Sequence, residues 1–332
     1  MTSDSTHQWQ HAIRHRWLFL AAIGSVVVLA AVSLFVGVYD VTLAGLWGDS
    51  EALQVFLASR VPRTAALVLA GVAMSVAGLI MQLITQNKFV EPTTAGTVQF
   101  ASLGILLVTI LWPGAPVWAR MVIASGAAFA GTLVFLAFLR RVTLRSAVIV
   151  PLVGIMLGAV VGAVTMYLAL QFRLSQMLAS WQAGSFSDIL RGRYELLWIV
   201  AGLTVVAYIA ADRFSVAGLG EDIATNVGVN YRRIMLLGTV IVALVSGVVV
   251  TVVGFLPFLG LIVPNLVSLT LGDNARRGLP WVAVAGAGIV VACDILSRTV
   301  RPPAEIPVGT ILGVLGAVVF IVLILRQDRH AH

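Results

Sequence analysis

The sequence predicts an all-α polytopic membrane protein of about ten transmembrane helices, and three observations carry that reading. Of its 332 residues, 60% are hydrophobic and only 11% are charged, where soluble domains hold roughly 25% charged residues. The mean hydropathy is +1.02. The apolar residues also run long: Trp17 to Val38 reads WLFLAAIGSVVVLAAVSLFVGV, and a helix needs about 20 such residues to cross the hydrocarbon of a bilayer. That first run is too long for a signal-peptide core and no small-residue cleavage site follows it, so it reads as a retained first span.

The remaining elements follow in order. A second run occupies 64–84 and enters through Ser-Arg-Val-Pro-Arg, with Arg60 and Arg63 on either side of Pro62. Proline there fixes φ and removes a backbone donor, which stiffens the spacing of the two cations. Further runs occupy 94–112, 117–139, 146–170, 195–211, 234–256, 258–271, 279–295 and 308–325. Several, 258–271 above all, are short for a perpendicular crossing, and broken spans are tolerated only where protein or a water-filled cavity covers the backbone. With the N-terminus inside and an even number of spans, both termini are cytosolic. Thirteen of the 21 cations then fall on inside loops and tails, in line with the positive-inside rule. The expected organisation is a cytosolic tail 1–16, one transmembrane domain 17–325 containing a cytosolic loop at 212–233, and a cytosolic tail 326–332. Gly154, Gly158 and Gly162 make a small-residue ridge in the fifth span, and Gly309 with Gly313 begins another in the last. Such ridges let helix backbones approach closely, within one chain, at a subunit interface or along a pore wall.

Composition also excludes. Cys293 is the single cysteine and lies in an apolar run, so no disulfide framework or cysteine metal cluster is available. Lys88 is the only lysine, and no glycine-rich phosphate loop ending in Gly-Lys can be built. The five histidines stand at 7, 11, 15, 330 and 332, confined to the tails, which leaves no membrane-embedded histidine metal site. The net charge of +7 is spread over the loop ends and describes anchoring at a membrane surface better than a nucleic-acid stripe. Asp294 and Glu305 near span ends are expected to pair with Arg298 and Arg301.

Three stretches resemble one family. Asn87 to Gly104 (NKFVEPTTAGTVQFASLG), Gly254 to Pro280 (GFLPFLGLIVPNLVSLTLGDNARRGLP) and Cys293 to Phe320 (CDILSRTVRPPAEIPVGTILGVLGAVVF), together with the Arg-x-Pro-Arg-Thr entry at Arg60, resemble the permease subunits of iron-siderophore, haem and cobalamin ABC importers. The resemblance implies a helical bundle like that of the vitamin B12 importer permease. It implies no catalysis and no cofactor in this chain, with ATP and Mg used by two cytosolic ATPase subunits. It further implies a second, identical or related permease chain, an extracytoplasmic binding protein, and residence in the cytoplasmic membrane of a bacterium.

By position in those motifs, Arg60, Arg63 and Arg298 are the residues that dock acidic groups of the binding protein; guanidiniums at an aqueous rim suit bidentate carboxylate pairing. Interfacial snorkelling is the plainer alternative, and Asp294, four residues before Arg298, is placed to neutralise it. GLGEDIATNVGV (Gly218 to Val229) resembles the pair of short coupling helices that seats on the ATPase. Glu221, Asp222, Ala224, Val227 and Gly228 are the implied contacts, the two acids suiting a helix start. Asn87 and Phe89 match the cytosolic narrowing of the path, Thr143 to Ser146 a second narrowing. Pro264 is followed by Asn265 where most relatives carry His, a replacement that removes any titration there near neutral pH. The variants NKFVEPTTAGT and VPNLVS resemble the branch serving catecholate siderophores. The same machine carrying haem or cobalamin is the first alternative, an ion-coupled secondary transporter the second.

Overall fold

The computed structural model describes residues 3–37, 50–141 and 148–330, and among these every regular element is helical. The chain runs through α1 (Ser3–Phe35), α2 (Ser50–Val55), a π-helical turn (Phe56–Arg60), α3 (Val61–Thr85), α4 (Thr97–Leu111), α5 (Val117–Arg141), α6 (Ile149–Gln171) and α7 (Ser175–Ala183). After a 3₁₀ turn (Glu195–Leu197) it continues as α8 (Trp198–Ile209), α9 (Ala211–Ala217), α10 (Glu221–Asn226), α11 (Tyr231–Val252), α12 (Leu259–Leu271), α13 (Ala275–Thr299) and α14 (Val308–His330).

Each apolar run of the sequence has become a helix, and their lengths differ in meaning. Six are long and apolar enough to cross a membrane: 16–35, 50–85, 117–141, 149–171, 231–252 and 275–299. The pair 195–209 and 211–217 is bent by 63° and forms a seventh only if taken as one span, while α4, α12 and the apolar part of α14 (Val308–Val322) fall short. The chain is thus a multi-pass membrane protein, and helix length and composition by themselves support six or seven of the ten crossings expected.

The core lies around α3. Its Ala66, Leu67, Ala70, Met74, Ala77 and Met81 are almost fully buried, with α13 along one side and α11, α12 and α8 completing the shell. Small residues make this possible. A Cβ added to Gly78 would sit 2.2 Å from the Cα of Gly260, so α3 and the start of α12 touch backbone to backbone. Large side chains on α1, α6 and α14 point outward instead: Val27, Met156, Val160 and Val318 are exposed, as apolar surface facing lipid or another chain requires. α1 is nearly bare and leans on α13 through Phe19 against Trp281, ring centroids 5.0 Å apart.

The glycine ridges resolve into separate roles. Gly154 lies against the Thr94 carbonyl and Gly158 against the Gln99 side chain, whereas Gly162 meets open space. In α14, Gly309 fits between the carbonyls of Ala183 and Phe255, and a Cβ on Gly313 would lie 3.6 Å from Pro257.

Candidate functional site

At one end of the bundle the arginines of the sequence motif converge. The π turn delivers Arg60, the first turn of α3 delivers Arg63, and the last two turns of α13 deliver Asp294 and Arg298. They do not stand free at a rim: Arg60, Arg63 and Arg298 are 8%, 7% and 6% exposed and Asp294 is 0% exposed. Arg63 donates through Nε and Nη2 to Asp294 Oδ1 (3.0 and 2.7 Å) and through Nη1 and Nη2 to Glu305 (3.0 and 2.9 Å). Arg298 donates to the other oxygen of Asp294, to Ser33 Oγ (2.7 Å), to the Ser33 carbonyl (3.0 Å) and to the Val36 carbonyl. Arg60 donates to the same Val36 carbonyl.

The physical reason is plain at both ends of these bonds. A guanidinium out of water needs acceptors for its donors, and the last carbonyls of a helix lack intrahelical partners. Arg60 and Arg298 supply donors to the end of α1, where cations also suit the helix dipole. The expected pairing of Asp294 with Arg298 is present; the partner of Glu305 is Arg63, since Arg301 is exposed on the loop. Three guanidiniums here face two carboxylates, which leaves one surplus positive charge, and Glu305 is the acidic member that still reaches solvent, its side chain 26% exposed.

At the other end lies the loop 86–96. Asn87 Oδ1 accepts from the Phe89 amide (2.9 Å) and both residues are buried. Asn265 does not face an open passage. Its Nδ2 donates to the Lys88 carbonyl (2.8 Å) and to the Leu261 carbonyl one turn back (2.7 Å), next to the buried Pro264. Outside this junction Lys88 pairs with Asp273 at 2.9 Å. Partial burial works against the charge on Asp273, yet the Ser268 hydroxyl and Lys88 hold it below the ordinary carboxylate value. A cleft of about 240 Å³ opens beside it, walled by Leu83, Asn87, Val267 and Asn274. Thr143 and Ser146 lie outside the described residues.

The acidic residue that sequence reading passed over is Glu91. It is fully buried, accepts from the Phe258 amide at 2.8 Å and from the Thr93 hydroxyl, and is pushed up to about 7 by burial. The amides of Gly260 and Leu261 also face it, but Oε2 makes no hydrogen bond of good geometry. The available signal was a carboxylate between Val90 and Pro92, in a short segment joining two apolar runs.

The polar stretch after Gly218, where a pair of short helices was expected, holds one, α10; the other short helix, α9, precedes Gly218. Gly220 (φ 113°) and Gly228 (φ 86°) bound α10 in conformations that side chains disfavour. Glu221, Asp222, Val227 and Gly228 are exposed, but Ala224 is fully buried. It lies on the inward face of α10 and presents no surface to a partner. Asn230 caps α11 by accepting from the Arg233 amide at 3.0 Å. No group of three or more potential metal ligands occurs among the described residues.

Residues 25–326 match the model of the FecCD transport family. The chain is 51% identical over 311 residues to the petrobactin import system permease protein FatD of Bacillus anthracis, covering 94% of this chain and 92% of the relative. It is 42% identical over 318 residues to the petrobactin import system permease protein YclN of Bacillus subtilis, covering 95% and 99%. Among solved structures it resembles an inward-facing conformation of a metal-chelate-type ABC transporter, with a TM-score of 0.80 over 94% of this chain and 99% of that one at 21% identity, a likeness of fold.

Proposed function

The chain belongs to the FecCD transport family, and from that premise we propose that it is the membrane permease subunit of an ATP-binding-cassette importer for a ferric siderophore, probed best with petrobactin and catecholate ligands. The observation that carries the cargo is the pair of relatives named for petrobactin import, both above 40% identity over more than nine-tenths of this chain. Iron passes as complexed cargo, and the chain itself binds no cofactor. ATP and Mg are used by two ATPase subunits seated on the exposed face of α9–α10, a second permease chain completes the path, and the chain sits in the bacterial cytoplasmic membrane with both termini inside. Ten spans follow if the bent pair and the three shorter helices each cross.

Docking of a binding protein at Arg60, Arg63 and Arg298 rests on the family motif. The buried pairs give that reading a definite form. An incoming carboxylate addresses the surplus positive charge and competes with Glu305 for Arg63. A charge-reversing change at Arg63 would also disrupt the Asp294 pair, so loss of uptake speaks to docking only where the variant melts like the native chain.

The test is deletion and complementation in the source strain. Uptake of radioactive iron supplied as ferric petrobactin is expected to fall on deletion and to return with a plasmid copy. A Val227→Asp copy should reach the membrane without restoring uptake, because it places a charge on the coupling surface. Loss of haem or cobalamin uptake with petrobactin unaffected would overturn the cargo. Uptake that persists after ATP depletion would overturn the importer class.

A further inference from the structure

Two irregular stretches meet inside the bundle, the loop 86–96 after α3 and the turn 253–258 before α12, and Glu91 is the side chain that joins them. Phe258 heads α12 in a left-handed conformation (φ 61°) that a bulky residue adopts only when held there. What holds it is visible: its amide donates to Glu91 Oε1 at 2.8 Å. Nothing local provides that service, since no side chain of the helix start caps α12. A carboxylate at a helix start is favoured twice, by hydrogen bonding to an otherwise unpaired amide and by the helix dipole.

The ring of Phe258 stacks on Phe320 of α14 at 6.4 Å, and Phe320 meets Phe89 edge-on at 5.8 Å. Gly316 lets α14 come in this far: a Cβ there would lie 2.2 Å from that of Phe258. Phe89, two residues before Glu91, is fixed by Asn87. Three aromatic rings from three parts of the chain thus close on one another, and two of them hang on backbone that Glu91 ties together.

We propose that Glu91 is a positioning residue for an aromatic gate formed by Phe89, Phe258 and Phe320, its carboxylate latching the start of α12 so that the rings stay closed. The inference rests on the reading of Phe89 as part of the inner narrowing. It assigns the buried acid a role that packing alone does not explain, because an apolar side chain of the same size would fill the space but leave the Phe258 amide unpaired.

The experiment uses the full importer in nucleotide-free proteoliposomes, with Cys293→Ser and a single reporter thiol at Gly313→Cys. That site shares the face of α14 carrying Gly316 and Phe320 and has room for a side chain. A hydrophilic maleimide is added from the ATPase side. Glu91→Ala, or the similarly sized Glu91→Met if Ala does not reach the membrane, is expected to raise labelling at least tenfold. Glu91→Gln, which keeps an acceptor oxygen for Phe258, should label close to the native rate, a rescue that loss of general stability would not produce. Phe320→Ala should label as fast as Glu91→Ala, and the double variant no faster. Fast labelling in Phe320→Ala with native labelling in Glu91→Ala and Glu91→Met overturns the latch and leaves the gate. Native labelling in all of them overturns the gate reading itself.

Discussion

Replacing Asp294 by Asn isolates the charge that the buried network depends on. The carboxylate accepts three bonds from two guanidiniums, Arg63 through Nε and Nη2 and Arg298 through Nη2, and is itself fully buried. The amide is nearly the same size but carries no charge and offers one acceptor oxygen in place of two. Removing one member of a buried pair costs about 3–5 kcal/mol. Arg63 retains Glu305, and Arg298 retains Ser33 and the end of α1, so the lower end, about 3 kcal/mol, is expected. At about 2 °C or more per kcal/mol for a chain of this size, that is a fall in melting temperature of roughly 6 °C. Cys293 provides the assay. It is the only thiol and is buried, so a thiol-reactive fluorophore reports unfolding in detergent with no engineered cysteine. Adding Arg298→Met to Asp294→Asn should cost less than Arg298→Met costs alone, since its main partner is already gone. Glu305→Gln, whose partner keeps Asp294, should move melting by no more than a third as much. A melting temperature for Asp294→Asn within 1 °C of native, or strict additivity with Arg298→Met, would refute the account of the network as a coupled unit.

Three further outcomes follow. Between the ordinary carboxyl value of 4.5 and about 7 the folded chain holds a proton on Glu91 that the unfolded chain has released. The side chain is faced by Thr93 and by backbone amides of Phe258, Gly260 and Leu261, none of which titrates in this range. Stability should therefore fall as pH rises through that window, by roughly 3 kcal/mol at about 1.4 kcal/mol per pH unit, and level off above it; the slope should be absent in Glu91→Gln melted at the same pH values. Gly78→Ala forces a methyl into the Gly260 backbone and should lower melting by the equivalent of about 3 kcal/mol, while Gly162→Ala, which meets open space within the chain, should melt like native. Lys88→Ala breaks a pair whose side chains are 57% and 67% exposed, so its cost is expected below about 1 kcal/mol and to vanish at high salt.

Much of the fold was readable because a membrane leaves few choices. Apolar runs must be helices where no water can satisfy the backbone, and all the runs identified became helices. The polar, glycine-bounded stretch at 218–229 was readable for the opposite reason, since only water-facing backbone tolerates it. What failed to show was long-range pairing. Asp294 and Arg298 are one helical turn apart and their contact follows from spacing. Arg63 and Asp294 are 231 residues apart in sequence, and nothing local says that a cation at the start of α3 will be sequestered by α13. Glu91 was missed likewise, because its partner at Phe258 is 167 residues away. Ala224 erred in the other direction: the motif marks the short helix α10, but only the helix register says which side of it faces inward.

The end of α1 has a consequence for the order of assembly. This helix is made before α2–α14, yet the bonds that fasten its end come from Arg60 and from Arg298, a residue that is made 262 positions after Val36. Until α13 is threaded, the Ser33 carbonyl lacks its arginine and the Val36 carbonyl has at most one of its two. During that interval the helix is held by Arg60, by the Ser33–Thr64 hydroxyl contact and by lipid, since it buries little against its neighbours. An early span is thus among the last to be fully secured. A chain truncated before Arg298 would leave α1 loosely attached even with every earlier helix in its place.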